Sequence, residues 1–190
     1  MNEILLASAS PRRAEILKIL GIEFTIKAVD IDETPFERET PNAYVKRISE
    51  TKNLKAREIY NFPVIITADT VVYKNGFLQK PRNKNEAFLM LKKLSGDSHY
   101  VYSAVTISTS KGKKETEISK TKVIFHKLTD DEIKWYIKTG EPLDKAGAYG
   151  IQGKGSIFIK SIEGSYHNVV GFPVDLFYKI AKKLNIKILK

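Results

Sequence analysis

The sequence predicts a mixed α/β fold, an elongated and twisted sheet with parallel and antiparallel strands, flanked by helices. Three observations predict it. Helical periodicities alternate with short apolar runs along the chain, the pattern of strands covered by helices. Val64–Val72 is an almost continuous apolar run, as expected of a strand buried on both faces. Two long alternating segments, His99–Thr109 and Glu115–His126, flank Lys111-Gly112 and so form an antiparallel hairpin, which a purely parallel sheet lacks. The 190 residues suit a single domain, 1–190, built as one core or as two lobes that share it.

The elements follow in order. Ile4–Ala7 is a strand. The run through Ser10 has the look of a short signal core, but Glu3 and the lack of preceding basic residues favour a buried strand. Ser10-Pro11 opens a helix to about Leu20, stopped by Gly21, because serine caps helix starts, proline suits the first helical position and glycine suits the exit. Ile22–Val29 is a second strand, and the acidic, proline-punctuated segment Asp30–Pro41 is a loop. Thr40-Pro41 starts a helix to about Tyr60, with Val45, Ile48, Ala56 and Ile59 as its apolar stripe. After the strand at Val64–Val72, Asn75-Gly76 is a hairpin turn signal. A helix runs from about Asn85 to Leu94, another from Asp130 to about Lys138 behind a Thr129 cap, and the last from Pro173 to about Leu184. Seven of the eleven glycines lie between Gly140 and Gly171, so that segment turns tightly or lets backbone approach a ligand.

Composition narrows the function. The chain has no cysteine, which excludes disulfides, thiolate metal sites and a cysteine nucleophile, and fits a reducing, cytoplasmic location. No apolar run is long enough for a transmembrane helix, so no membrane partner is expected. The net charge of +10 fits polyanions in general. Its lysines are scattered and only six arginines are present, whereas base readout leans on arginine, so nucleic acid is not the expected partner.

Several segments carry chemistry. Ser8-Ala9-Ser10-Pro11-Arg12-Arg13 joins a strand to a helix. Two arginines in a first helical turn face the positive end of the helix dipole, an unfavourable placement unless an anion sits there. Free backbone N–H groups, serine hydroxyls and guanidiniums together suit a phosphate chain. Asp69 interrupts an apolar strand, and a lone buried carboxylate must be paired or bound to metal. Lys52, between Ile48 and Ala56 on an apolar helix face, requires an anionic partner: Asp69, Glu33 or a ligand phosphate. Glu33 is a second carboxylate in reach of magnesium chemistry, since magnesium is held by carboxylate and phosphate oxygens. Lys80-Pro81 is a weaker signal. In the run Asp144–Gly153, glycines permit close approach, Tyr149 can stack and Gln152 can read a base edge. Gly153-Lys154-Gly155-Ser156 lacks the residues of a P-loop.

Together these segments resemble the Maf family of nucleoside triphosphate pyrophosphatases, within the inosine-triphosphatase-like fold. The carriers are Ser8-x-Ser10-Pro11-Arg12-Arg13, Glu33, Lys52, Ala68-Asp69-Thr70-Val71-Val72, Lys80-Pro81, Leu94-Ser95-Gly96 and Asp144–Gly153, with Gly164-Ser165-Tyr166 and Asn168–Gly171 completing the match across the whole chain. The resemblance implies two lobes around a central cleft and hydrolysis of a nucleoside triphosphate to monophosphate and pyrophosphate with a divalent metal, Mg2+ or Mn2+. It implies Asp69 as proton acceptor, Arg12, Thr70 and Gln152 as determinants of substrate choice, and Ser8, Ser10, Arg13, Glu33, Lys52 and Lys80 as further site residues, with Glu33 and Asp69 toward the metal. The Gly147–Gly153 stretch is similar to that of the branch acting on dTTP and UTP. Family members are commonly homodimers and have been linked to inhibition of septum formation, which leaves a non-catalytic nucleotide- or nucleic-acid-binding regulator as the alternative. At Lys52-Asn53 the sequence departs from relatives, which often carry alanine after the lysine.

Overall fold

A computed structural model describes residues 3–188. Among the described residues, seven strands form one sheet in the order β2-β1-β3-β5-β6-β7, with β4 paired to β3. The strands are β1 (Ile4–Leu6), β2 (Thr25–Ile26), β3 (Val64–Tyr73), β4 (Phe77–Leu78), β5 (Ser98–Thr109), β6 (Lys114–Phe125) and β7 (Ile159–Glu163). The helices are α1 (Pro11–Ile19), α2 (Pro41–Ile59), α3 (Lys84–Leu94), α4 (Asp130–Lys138), α5 (Tyr166–Val170) and α6 (Val174–Lys183). β1 runs parallel to both β2 and β3, while the β3/β4 and β6/β7 pairs are antiparallel, so the sheet is mixed as expected. None of the described helices is long and apolar enough to cross a membrane.

The chain divides into two compact units. The first comprises Met1–Asp69, Ser103–Ser119 and Gly171–Lys190, the second Thr70–Tyr102 and Lys120–Val170. In the first, Leu5, Ala7, Ala56 and Ile65 form a small cluster against which Val29, Tyr60 and Phe62 pack. Leu5 and Ile65 are fully buried, which stabilises by about 1.5–3 kcal/mol each. In the second, α3 and α4 cover a larger core. At its centre Phe125 meets Tyr149 edge-on at 4.8 Å, and Tyr136 meets Phe158 at 5.1 Å. Thr129 caps α4 with a full capping box, its hydroxyl accepting from Glu132 N–H while the Glu132 carboxylate accepts from Thr129 N–H.

Three expectations need correction, and one segment holds elements that the sequence pattern did not show. The strand expected over Ile22–Val29 shrinks to Thr25–Ile26, an exposed two-residue edge paired only to β1, because this end of the sheet has no second neighbour to extend it. Ser10 does not cap α1 with its side chain; its backbone N–H instead donates to Ser8 Oγ at 3.2 Å. Ile59 is 52% exposed, and the buried stripe of α2 passes through Ser49 and Asn53 instead. The glycine-rich segment contains β7 and α5, hidden from sequence reading because glycine and serine interrupt any period there. The Asn53 amide donates to Ile65 O at 3.3 Å, so the departure from alanine at this position ties α2 to β3.

Candidate active site

β1 ends at Leu6, Ser8 lies buried two residues further on, and α1 begins at Pro11, so Arg13 sits in the first turn of α1. Arg13 is fixed from two sides: Nη1 donates to Ser8 Oγ at 3.0 Å and Nε donates to Gly171 O at 2.9 Å. Burial lowers its pKa, opposed by the field of Asp69 and Glu33 and reinforced by neighbouring Arg12. Two like charges are thus kept together at a positive helix end, which is the arrangement of an anion site.

Asp69 lies in β3 with its side chain only 8% exposed. Lys52, on α2, donates from Nζ to Asp69 Oδ1 at 2.9 Å and pairs with Glu33 Oε1 at 2.7 Å. Both carboxylates considered as partners for Lys52 therefore hold it at once. Burial raises the Asp69 pKa above the ordinary carboxylate value, against the opposing effects of Lys52 and Arg13. A carboxylate whose burial favours the protonated form, while bonded Lys52 and the field of Arg13 favour the ionised one, is suited to exchange a proton.

Glu33 sits on a loop held by residues that sequence reading missed. Tyr44 Oη donates to the Glu33 carbonyl at 2.9 Å, and Arg47 Nη2 donates to the Thr34 carbonyl at 3.1 Å. Arg47 also makes a fork to Glu39 with both distances at 2.7 Å, and its guanidinium stacks 3.9 Å over Phe36. Tyr44 and Arg47, three residues apart on α2, reach back eleven and thirteen residues to this loop, a link with no signal in the sequence.

Asp69 and Glu33 converge on one cationic group. No three His, Asp or Glu side chains cluster around a metal position among the described residues. Two carboxylates without a third protein ligand match a magnesium-type ion that completes its shell with substrate phosphates, and do not match an ion held by protein alone.

In the second unit, Thr70 continues β3 directly after Asp69 and is partly exposed, while Lys80 is exposed just after β4. Gln152 lies on a loop anchored by Glu141, which accepts from Lys154 N at 3.0 Å, Gly155 N at 3.3 Å and Tyr136 Oη at 2.8 Å. Burial pushes the Glu141 pKa up, and these hydrogen bonds outweigh it, leaving the carboxyl below its usual value. Gly155 is required there, since an added Cβ would stand 2.6 Å from Tyr136 Oη and 2.8 Å from Gly150 O. Gly147 has a φ of +71°, and a Cβ would press on Val72 at 3.0 Å.

Tyr149 is not available to stack on a base. It is 5% exposed, and its hydroxyl meets His99 Nε2 at 2.7 Å. Burial pulls the His99 pKa down to about 3, so the imidazole is neutral, and pushes the Tyr149 hydroxyl up. The pair is a polar pin inside the core of this unit. The Gln152 amide makes no hydrogen bond among the described residues, so neither its own loop backbone nor Thr70 fixes which end faces a ligand.

The mixed α/β sheet thus carries a lysine that bridges two carboxylates, with two arginines at a strand–helix joint, an arrangement whose chemistry suits an anion. A profile of the Maf-like protein family matches residues 3–184, and the chain belongs to that family. It is 43% identical over 185 residues to the dTTP/UTP pyrophosphatase of Geobacillus sp. (strain WCH70), covering 97% of this chain and 99% of that protein. It is 44% identical over 176 residues to the dTTP/UTP pyrophosphatase of Syntrophus aciditrophicus (strain SB), covering 92% and 86%. The Ham1 protein of Staphylococcus aureus shares the fold at a TM-score of 0.53 and 11% identity, covering 96% of this chain and 99% of that one.

Proposed function

We propose that the protein hydrolyses dTTP and UTP to the monophosphate and pyrophosphate. The observation that carries this reading is the buried Asp69 held by Lys52 in the unit that also presents Arg12 and Arg13. Water attacks the α-phosphorus, one O–P bond forms, the bond to the bridging oxygen breaks and pyrophosphate leaves. Asp69 takes the proton of the attacking water. Arg12, Arg13 and Lys80 neutralise the triphosphate, Ser8 and Ser10 line its path, and Lys52 keeps Asp69 ionised. Glu33 and Asp69 are the residues that would hold Mg2+ or Mn2+ together with substrate phosphates, and such an ion would supply charge neutralisation at the phosphate oxygens. A homodimer located in the cytoplasm is part of the same proposal. Sedimentation equilibrium tests the oligomer. The direct test of function is pyrophosphate release from a panel of nucleoside triphosphates with each metal; no release from dTTP or UTP overturns the reading.

Base choice rests on Gln152 and Thr70. Uracil and thymine present an acceptor at O4 beside a donor at N3–H, which an amide matches, while cytosine inverts the pair. The free amide can rotate to suit either, so discrimination arises when the bound base and its neighbours orient it. Gln152→Ala should therefore lower kcat/KM for UTP more than for CTP. A buried base edge left unpaired costs about 1–3 kcal/mol. Equal losses for both nucleotides exclude Gln152 from base reading.

The clamp on the Glu33 loop gives a second expectation. Tyr44→Phe removes the hydrogen bond to the Glu33 carbonyl without changing the packing volume. The metal concentration giving half-maximal activity should rise several-fold, with the melting temperature nearly unchanged. An unaltered metal dependence makes Tyr44 a purely structural residue.

A further inference from the structure

We propose that the first unit carries a second anion site, at the last turn of α2 and the tip of the β5–β6 hairpin, which takes a phosphate monoester with an apolar body. A cavity of about 390 Å³ opens there, within the range of small-molecule sites. Arg57, Lys113 and Lys114 line it, against a single carboxylate, Glu50. None of the three cations forms an ion pair among the described residues. Arg57 is instead held by neutral groups: Nε donates to Ser108 Oγ at 2.7 Å, and the two terminal nitrogens donate to Phe62 O and Ser108 O.

A guanidinium has five N–H donors, so one hydrogen on each terminal nitrogen is left uncommitted. Two such donors can each meet an oxygen of a phosphate. Burial lowers the Arg57 pKa with no carboxylate to offset it, so an anion would restore what desolvation removes. Thr109, also in the lining, has a buried Oγ1 with no hydrogen-bond partner, a further group for a phosphate oxygen. Three cations suit a dianion better than a carboxylate. The apolar body is indicated by Leu54, which lines the cavity yet is 63% exposed, and by the methylene stems of the lysines. This inference stands apart from the pyrophosphatase reading, since it uses none of the residues assigned to turnover.

The test is a titration of the 15N-labelled full chain with phenyl phosphate at fixed ionic strength, followed by two-dimensional NMR. Saturable shifts are expected at Arg57 Nε–H and at the amides of Thr109, Gly112 and Lys113. Binding at the Arg12–Arg13 group would be read separately, at Ser10 and Arg13. Reversing two charges with Lys113→Glu and Lys114→Glu, both on exposed residues, should weaken the first set by about tenfold or more and leave the second unchanged. Inorganic phosphate should bind more weakly than phenyl phosphate at the hairpin site, and Leu54→Ser should narrow the difference. Shifts confined to Ser10 and Arg13, or an unchanged affinity in the double variant, overturn the proposal.

Discussion

Asp69→Asn is expected to lower kcat by roughly 10²–10⁴-fold, the worth of a general base, while the protein stays folded. The change is isosteric and keeps a hydrogen-bonding group beside Lys52, but removes both the proton acceptor and the negative charge a metal would meet. Its effect on stability has the opposite sign. Burial raises the pKa of Asp69, so the folded state binds more protons than the unfolded state between the ordinary carboxylate pKa and the raised value. Stability therefore falls as pH rises through that window, as the ionised side chain comes to carry the cost of burial. The asparagine carries none of it, and Lys52 retains Glu33 at 2.7 Å. The melting temperature at pH 7 should match or exceed wild type. Pyrophosphate release and thermal unfolding measured on the same samples decide the matter: turnover near wild type with a lowered melting temperature makes Asp69 a structural ion-pair partner.

The sequence pattern carried most of the fold because its long elements are locally consistent. α4 has its cap, its acidic first turn and its buried face in one stretch, and β3 is apolar on both faces. Elements whose existence depends on distant partners were not legible. β7 forms because β6 offers it an edge, with a bulge between Ile124 and Phe125, and α5 follows a turn that reads as loop. Within the candidate site, an aspartate in an apolar strand and a lysine on an apolar helix face both demanded a partner, and each proved to be the other's. The supports were invisible for a physical reason. Tyr44 and Arg47 act on the backbone of the Glu33 loop, and Glu141 acts on the backbone N–H groups of Lys154 and Gly155, so their targets leave no residue-type signature. Tyr149 misled because an aromatic among glycines looks exposed, whereas the glycines serve to pack that loop on the core.

Lys52→Met should produce an effect nearly as large and of a different kind. A lysine held only for an absent phosphate would cost little stability when removed, but this ammonium is shared by two carboxylates, at 2.9 Å from Asp69 and 2.7 Å from Glu33. Without it Asp69 loses the strongest influence opposing its burial, and its pKa rises further. The base must be ionised to act, so activity is lost below its pKa, and a higher pKa moves the acid limb of kcat/KM to higher pH. At neutral pH the loss should be roughly 10²–10³-fold, the worth of one preorganised charge, with partial recovery as pH is raised. Stability should fall as well, since removing one partner leaves a buried charge uncompensated. That deficit follows the ionised form of Asp69: it is full above the carboxylate's pKa and shrinks as acid protonates it. Melting temperatures of variant and wild type should therefore converge toward low pH and diverge toward pH 8, while the pH–rate profile shifts upward. A lowered melting temperature with an unmoved acid limb would separate Lys52 from the ionisation of the base and confine it to holding α2 against β3.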